Sequence, residues 1–276
     1  MDGYLNDSEF VDVLRVAQLA LVQGEVDPYK IPGFGERIVA EFPAGSGQIN
    51  KQLAMIIAFM KNVDNPETSK RIVEYFKNSD NQPIDKIYIA MQLRSLGYNM
   101  DDNCRFAIVD YLENAILAQD GTTYRNYIGT SIKQLTKNLK RPEQLKRVLE
   151  NGSKWPNAML QAFFNLNQRL TPEQVQWVIA ADRNMNGEEN VTTRKIRLGS
   201  IAVLAESRAP EAHEYLREIW QSRPDYRNEI CLGLAQQAEG ANWSYLVTSM
   251  PILDDTIGKE IVQALQRVNR LSLIHI

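Results

Sequence analysis

The chain has 276 residues, of which 44% are hydrophobic and 24% are charged, a balance typical of globular proteins rather than disordered or fibrous ones. Lys and Arg number 31 against 34 Asp and Glu, so the net charge of -3 leaves no general positive charge for binding nucleic acid or anionic lipid. Two cysteines and two histidines are too few for a disulfide framework, a four-thiolate zinc site or most imidazole chemistry. The composition therefore argues against most classes of enzyme.

Neither a membrane span nor an export signal is expected in the chain as written. The longest apolar runs, such as Ala54 to Met60, are far shorter than the roughly 20 residues that a membrane-spanning helix needs. The first ten residues, MDGYLNDSEF, are acidic where an export signal has basic residues followed by an apolar stretch.

Apolar residues recur at helical spacing almost throughout. The first stripe predicts a helix near the amino terminus: Phe10, Val13, Leu14, Ala17 and Leu21. A link rich in Pro and Gly follows it and completes an N-terminal region over residues 1–45. The next stripe predicts a second helix: Ile49, Leu53, Ile56, Ile57 and Met60. The segment KIYIAMQLRSL, which could be mistaken for a strand, has apolar residues on two helical faces and predicts a helix buried on both sides.

Glycines in the N-terminal link suggest a second interpretation. Gly33-Phe34-Gly35 resembles the start of a dinucleotide-binding fingerprint. Ile38 stands where the third glycine belongs, and no strand pattern precedes the motif. An irregular link through Pro28, Pro32 and Pro43 is the preferred interpretation.

Proline marks many of the expected helix starts, where its missing N–H costs nothing. Seven prolines open segments of apolar periodicity: Pro66, Pro83, Pro142, Pro156, Pro172, Pro210 and Pro224. Thr171 and Gln174 flank one of these starts as a capping box, in which each side chain satisfies an amide of the other residue.

A repeat of about 30 residues is visible from 194 to 270. Displacement by 30 positions aligns similar residues: Arg197 with Arg227, Ile201 with Cys231, Leu204 with Leu234, Ala205 with Ala235, Tyr215 with Tyr245 and Leu216 with Leu246. One such unit alone exposes an apolar face, which stacking of successive units buries. We therefore predict an all-α fold, an α-solenoid of antiparallel helix pairs. One inner column is expected to contain Ile201, Leu204, Cys231, Leu234, Ile261 and Ala264.

A helix carrying Arg followed by Ala, Leu and small residues, paired with a second helix at this period, resembles the short HEAT repeat. The resemblance is best over 194–270 and degenerate over 46–193. Three segments, FPAGSGQINKQLAMIIAFM, DKIYIAMQLRSL and GTTYRNYI, further resemble the HEAT region of large exported bacterial proteins. Those proteins join a sugar-dehydrogenase-like β-propeller, a HEAT array and a carboxyl-terminal c-type cytochrome.

This resemblance implies that the chain is a fragment of a periplasmic or cell-envelope redox protein. Haem c would then belong to a carboxyl-terminal domain that the chain lacks, since the sequence has no CxxCH motif. No cofactor is expected in this segment. If the chain is complete, a cytoplasmic location is expected instead.

The stretch from Asp182 to Gly187 matches the first half of a calcium-binding helix–loop–helix site, with oxygen-bearing side chains at alternate positions: Asp182, Asn184 and Asn186. Thr193 stands where the bidentate glutamate belongs, and Glu189 where an apolar residue usually closes the loop. The preferred interpretation is a turn between two helices, with a calcium site as the weaker alternative.

Basic residues gather in one segment, with Tyr124 and Tyr127 just upstream: Lys133, Lys137, Lys140, Arg141, Lys146 and Arg147. A basic groove beside aromatic rings can hold nucleic acid through phosphate contacts and base stacking. A solvated helix face is the simpler interpretation, and the net negative charge favours it.

The two cysteines are expected to be inert. Cys231 occupies the inner column and suits a small buried hydrophobe, so pairing with His213 as nucleophile and base is not supported. Cys104 lies in the first turn of a helix, where a lowered pKa is possible. We expect Cys231→Ser to cost more stability than Cys104→Ser, because it buries a hydroxyl in the column.

The last six residues, LSLIHI over 271–276, resemble the translated read-through of a sequencing adapter, and we expect them to be non-native. The alternative is a short apolar tail packed on the last helix. If the tail is foreign, the native frame should continue past Arg270. The last helix would then expose an apolar face: Ile257, Ile261, Val262, Leu265 and Val268.

Two functions therefore stay open. The first is a noncatalytic HEAT-like scaffold that binds protein or spaces neighbouring domains of the same chain, because no convergent acid, base, metal or phosphate constellation is visible. The second is a HEAT-like nucleic-acid-binding module that uses the basic segment from Lys133 to Arg147.

Overall fold

Helices form all of the regular structure in the residues that can be placed. The computed structural model describes residues 5–61, 66–96, 100–118, 121–137, 139–166, 169–185 and 189–274. These ranges hold fifteen α-helices and four short 3-10 turns, so the predicted all-α class is confirmed. The chain divides into two compact units, Met1–Asn138 and Leu139–Ile276. This division lies inside the range 46–193, and the predicted boundaries at 45 and 193 stay predictions.

In the first unit, alternate helices lie side by side. Its helices are α1 (Asp7–Val22), α2 (Phe34–Glu41), α3 (Gly47–Met60), α4 (Pro66–Lys77), α5 (Pro83–Leu93), α6 (Asp102–Leu117) and α7 (Thr122–Thr136). The 3-10 turns of this unit are Pro28–Lys30 and Arg94–Leu96. Helices α1, α3, α5 and α7 contact one another in that order, α4 contacts α6, and α2 packs on α3. Helix α6 bridges the two rows through α5 and α7.

The second unit repeats this arrangement more regularly. Its helices are α8 (Pro142–Glu150), α9 (Pro156–Phe163), α10 (Pro172–Arg183), α11 (Val191–Ser207), α12 (Pro210–Ser222), α13 (Arg227–Ala235), α14 (Gly240–Ser249) and α15 (Asp255–Ile274). The 3-10 turns are Pro224–Tyr226 and Met250–Ile252. Helices α9, α11, α13 and α15 form one row, and α8, α10, α12 and α14 form the other. Most consecutive helices, such as α10 with α11 and α12 with α13, pack across the rows, which is the stacking of paired helices expected of an α-solenoid.

Proline and one capping box define helix starts as the sequence predicts. Six of the seven prolines are the first residue of an α-helix, while Pro224 opens the 3-10 turn that leads into α13. At α10, the Gln174 N–H donates to Thr171 Oγ1 at 3.2 Å, and the Thr171 N–H donates to Gln174 Oε1 at 3.0 Å. Both predictions are local and depend on neighbouring residues alone.

The predicted inner column lies along the row α11, α13 and α15. Five of its members are buried and Ala264 is half-buried. Glycine allows the close approach: a Cβ added at Gly233 would lie 2.9 Å from Ala205 Cβ, and one added at Gly199 would lie 2.7 Å from Phe163 Cδ2. Larger residues at these two positions would force the helices apart.

On α1 and α15, the structure differs from the prediction in which apolar residues are exposed and which are buried. Val13 belongs to the first apolar stripe but is 49% exposed, whereas Leu14 and Leu21 of the same stripe are buried. Ile261 and Leu265 were expected in an exposed face of α15, and this prediction is wrong, because both are buried where α15 packs on α13. The side chain of Val268 lies outside the described residues.

The environments of the two cysteines reverse the expected order of their serine substitutions. Both side chains are fully buried. Burial raises the pKa of each thiol, and at Cys231 the nearby Trp220 and Ser249 side chains partly offset the effect. The Trp220 indole N–H has no hydrogen-bond partner among the described residues and can donate to a hydroxyl at position 231. At position 104 the neighbouring polar side chains, Asp101 and Arg105, already bond to backbone groups.

We therefore expect Cys104→Ser to lower the free energy of unfolding by about 1–3 kcal/mol, and Cys231→Ser to lower it by less. Denaturant midpoints of the two variants at equal m-values measure the difference. A larger loss for Cys231→Ser would show that the Trp220 indole N–H does not accommodate the hydroxyl.

Candidate functional site

A cavity of about 160 Å3 opens in the first unit between the 3-10 turn Pro28–Lys30 and helices α2, α3 and α4. Its apolar lining comes from the prolines of the N-terminal link and from three aliphatic side chains: Pro28, Pro32, Ile31, Val39 and Met60. The link that was predicted to be irregular thus forms one wall of this cavity.

Two side chains hold α2 and its exit in place beside this cavity. Asn50 pairs with the backbone of Ala44, accepting from its N–H at 2.7 Å and donating to its carbonyl at 2.9 Å. Arg71 donates to the carbonyls of Ala40 and Phe42 at 3.0 and 3.1 Å. These bonds satisfy carbonyls at the end of α2 and fix its position against α3 and α4.

Polar groups also line the cavity. Thr68, in the first turn of α4, is 1% exposed, and its hydroxyl has no hydrogen-bond partner among the described residues. The Tyr29 hydroxyl donates to the Met60 carbonyl at the end of α3. Partial burial, with a smaller contribution from Asp27, raises the pKa of Tyr29, so the phenol stays protonated at neutral pH. Glu36 lies at the wall formed by α2 and is exposed.

A buried charged cluster joins three helical segments of the second unit. The Asp182 side chain is 1% exposed, and its Oδ2 lies 2.5 Å from both Arg223 Nη1 and the Tyr215 hydroxyl. Burial and the adjacent carboxylate raise the pKa of Tyr215, which therefore donates its proton as a phenol. Arg183 stacks over the Tyr215 ring at 5.0 Å and pairs with Glu218 at 2.8 Å.

This cluster includes the first residue of the calcium-loop match. Asp182 lies in the last turn of α10, and Asn184 is the residue that follows the helix. The third position, Asn186, lies outside the described residues. A cation bound to Asp182 Oδ2 would have to displace the Arg223 guanidinium. Among the described residues, no group of three or more His, Cys, Asp or Glu side chains is placed to hold a metal ion.

The basic segment extends over the division between the two units. Lys133 and Lys137 belong to the first unit, at the end of α7, and four residues belong to the second: Lys140, Arg141, Lys146 and Arg147. Five of the six are exposed, while Lys146 is half-buried with its ammonium 5.7 Å from the centre of the Trp177 ring. Lys133 and Lys137 are one helical turn apart, which places both on the same face of α7.

His213 belongs to a second buried polar network, between α12 and α14. Its Nδ1 lies 2.8 Å from Asn242 Nδ2, and the same amide nitrogen donates to the Gln237 carbonyl at 2.9 Å. The Arg217 guanidinium donates to the Asn242 carbonyl oxygen. Cys231 faces Trp220 and Ser249 instead, so the structure does not bring His213 and Cys231 together as a base and nucleophile.

Mild acid is expected to destabilise the second unit through His213. Burial, with a smaller contribution from Arg217, lowers the pKa of His213, so the folded chain binds its proton less readily than the unfolded chain does. The unfolded side chain titrates near about pH 6.5. The stabilising contribution is therefore complete above that pH and is lost as the pH falls below it.

Denaturant unfolding at pH 7.5 and pH 5.5 measures this effect. The loss of stability on acidification should be smaller in His213→Gln, whose amide keeps a neutral side chain against Asn242. An equal loss in both proteins would assign the pH dependence to other groups.

The described residues do not fit covalent haem attachment. Cys104 and Cys231 lie in different units, both are fully buried, and neither belongs to a CxxCH motif. No helix in the described ranges is long and apolar enough to cross a membrane.

The sequence does not reveal the residues that line the cavity or complete the buried cluster. Tyr215 and Arg223 follow Asp182 by 33 and 41 residues. Thr68 likewise meets the link at Gly33 and Gly35 only through folding. The feature of the sequence that lies near the cavity is the pair Gly33 and Gly35. Because these residues have no side chains, other atoms can come close to the backbone at the start of α2.

Two comparisons with known proteins find no match for this chain. No protein-family model matches the sequence, and no curated protein matches it. The likeness to HEAT repeats and to exported haem proteins stays a prediction from the segments quoted above.

Proposed function

We propose that this chain is a noncatalytic helical-repeat scaffold that binds another protein or a neighbouring domain of the same polypeptide. The observation that carries the proposal is an exposed apolar face on α1. Four of its side chains are about half exposed or more: Val13, Val16, Leu19 and Val22. Contiguous exposed apolar surface of this kind is typical of protein interaction sites.

The opposite side of α1 shows why this face is available. Leu14 and Leu21 are buried, and Gln18 donates to both the carbonyl and the side-chain oxygen of Gln52 on α3. Helix α1 is thus anchored to α3 through one side, and its apolar outer side can bury further surface against a partner. Buried charged groups such as Asp182 and Arg223 hold helices together, which suits a scaffold.

The resemblance stated above supports a more specific form of this proposal. In it, the chain is a segment of a larger exported haem-containing redox protein, and the partner surface belongs to a neighbouring domain. The redox chemistry would lie in that other domain.

Site-specific crosslinking tests the scaffold function. A photoreactive residue at Val16, within the apolar face, should crosslink to one defined protein or domain in the native host. The same residue at Gln23, an exposed polar position at the end of α1, is the matched control. The purified partner should then bind the wild-type chain and bind Val16→Glu at least tenfold more weakly. No crosslink at Val16 above the Gln23 control would overturn the proposal.

The alternative is a nucleic-acid-binding module that uses the basic segment. The exposure of Lys133 and Lys137 on one face of α7 favours it. Duplex DNA binding measured at 50 and 200 mM salt tests it, because phosphate contacts release counterions and weaken steeply with salt. Binding that is weak and insensitive to Lys133→Ala/Lys137→Ala would reject this function without affecting the scaffold proposal.

A further inference from the structure

Two grooves of the second unit join along the edge where α11 leads into α12 and α13 leads into α14. The first groove, of about 660 Å3, extends from the turn before α10 to the turn after α13. The second, of about 480 Å3, continues from that turn to α15. Arg208 and Gln236 line both grooves, so the two form one channel, here called the edge channel. Each volume lies within the range of ligand-binding clefts.

Three arginine side chains line the edge channel, each from a different segment. Arg169 lies in the turn before α10, Arg208 between α11 and α12, and Arg267 on α15. All three are exposed, and none of their side chains has an ion-pair or hydrogen-bond partner among the described residues. By contrast, Arg183 and Arg223 of the same unit each pair with a carboxylate. The channel therefore presents three guanidinium groups that are available to bind anionic groups.

Arg208 also has a backbone conformation that favours glycine. It is the residue that follows α11, and its φ of 54° lies in the left-handed region. A side chain is sterically disfavoured there. The guanidinium is thus held in the channel at a cost to the backbone, and local strain of this kind is concentrated at functional sites.

The other polar residues of the channel select a peptide among anionic ligands. Glu206 shares the first groove with the arginines, and Glu239 shares the second. These carboxylates would repel a nucleic acid, whose backbone carries a phosphate at every nucleotide. A peptide can instead place acidic residues beside the arginines and neutral residues beside the glutamates. The exposed Gln236 amide, without a side-chain partner in the described structure, can both donate to and accept from a peptide backbone.

The packing of the row sets the spacing of the acidic residues. Helices α9, α11, α13 and α15 are successive neighbours, and packed helices lie about 8–10 Å apart. Arg208 is one helix further along the row than Arg169, and Arg267 is two helices further than Arg208. An extended chain advances about 3.3 Å per residue, so these steps correspond to about three residues and about five or six residues.

We propose that the edge channel binds an extended acidic peptide, with carboxylates spaced to meet Arg169, Arg208 and Arg267. The channel lies in the second unit, whereas α1 lies in the first. The inference therefore does not depend on the apolar face of α1.

A labelled ten-residue peptide tests the channel, with aspartates at its first, fourth and ninth positions and serine or alanine elsewhere. Fluorescence anisotropy with the full chain at pH 7 should show saturable binding. The same peptide with asparagines in place of the aspartates should bind at least tenfold more weakly, because it lacks the charge-assisted bonds to the arginines. A tetranucleotide, with three linking phosphates, should not displace the peptide at equal concentration.

Arg208→Gly separates binding from stability, because it removes the guanidinium shared by both grooves together with the left-handed strain. It should weaken peptide binding about tenfold while leaving the denaturant midpoint unchanged or higher. Arg267→Ala, at an exposed helical position, should weaken binding comparably without altering the backbone at Arg208. Lys195→Ala removes an equal charge from an exposed position of α11 outside the channel and should leave the affinity unchanged.

The results that contradict the proposal differ in what they assign instead. No saturable binding, or equal affinity for the aspartate and asparagine peptides, would show that the channel is not an acidic-peptide site. Displacement of the peptide by the tetranucleotide would assign the channel to nucleic acid. An unchanged affinity in either folded arginine variant would place the bound peptide elsewhere on the chain and would likewise overturn the proposal.

Discussion

Asp182→Ala is expected to lower the free energy of unfolding by about 3–5 kcal/mol, because it leaves a largely buried guanidinium without its counter-ion. The Arg223 side chain is 17% exposed and the Asp182 side chain 1% exposed, so water replaces the lost carboxylate only in small part. The Tyr215 hydroxyl loses its acceptor in the same step. Three segments, α10, α12 and the turn after α12, lose their shared contact.

The pair Arg183–Glu218 provides a matched control in the same region. Its side chains are 54% and 60% exposed, and exposed pairs contribute about 0–1 kcal/mol. Denaturant unfolding should therefore separate Asp182→Ala from Glu218→Ala by at least about 2 kcal/mol. The double variant Asp182→Ala/Arg223→Met should recover part of the loss, since it removes the unpaired charge. Equal losses for the two single variants would show that the buried pair is solvated in solution.

Leu204→Ala is expected to cost about 2–5 kcal/mol through the cavity that it leaves in the row of α11, α13 and α15. The Leu204 side chain is fully buried, and Leu234 and Ile261 of the same column are fully buried as well. Helices in a closely packed row cannot collapse onto the missing volume, because contacts such as that of the Gly233 backbone with the Ala205 side chain already limit their approach.

Val247→Ala serves as the control for this substitution. Val247 lies on α14 and is 49% exposed, so its truncation should change stability by no more than about 0.5 kcal/mol. Thermal or denaturant midpoints of the two variants provide the measurement. A loss below about 1 kcal/mol for Leu204→Ala would contradict the assigned register of the column.

The sequence by itself determined the helices and the regular stacking of the second unit. Helix starts at proline and at the Thr171 capping box depend on residues within a few positions of one another, so local chemistry decides them. The inner column was also visible, because a 30-residue repeat places equivalent residues such as Leu204 and Leu234 in equivalent helices. Buried positions that recur at a fixed period can be predicted without knowing which distant segments are in contact.

Only the tertiary structure decided which side of each helix is covered and which polar groups meet. Val13 fits an apolar stripe yet is exposed, because helical spacing defines a face without showing which neighbour covers it. Asp182 matches a calcium motif in the sequence, but folding pairs it with Arg223, 41 residues away. Folding likewise brings Thr68 to the same cavity as Gly33 and Gly35, more than 30 residues earlier in the chain. Contacts between distant segments depend on how helices pack, and local patterns do not encode them.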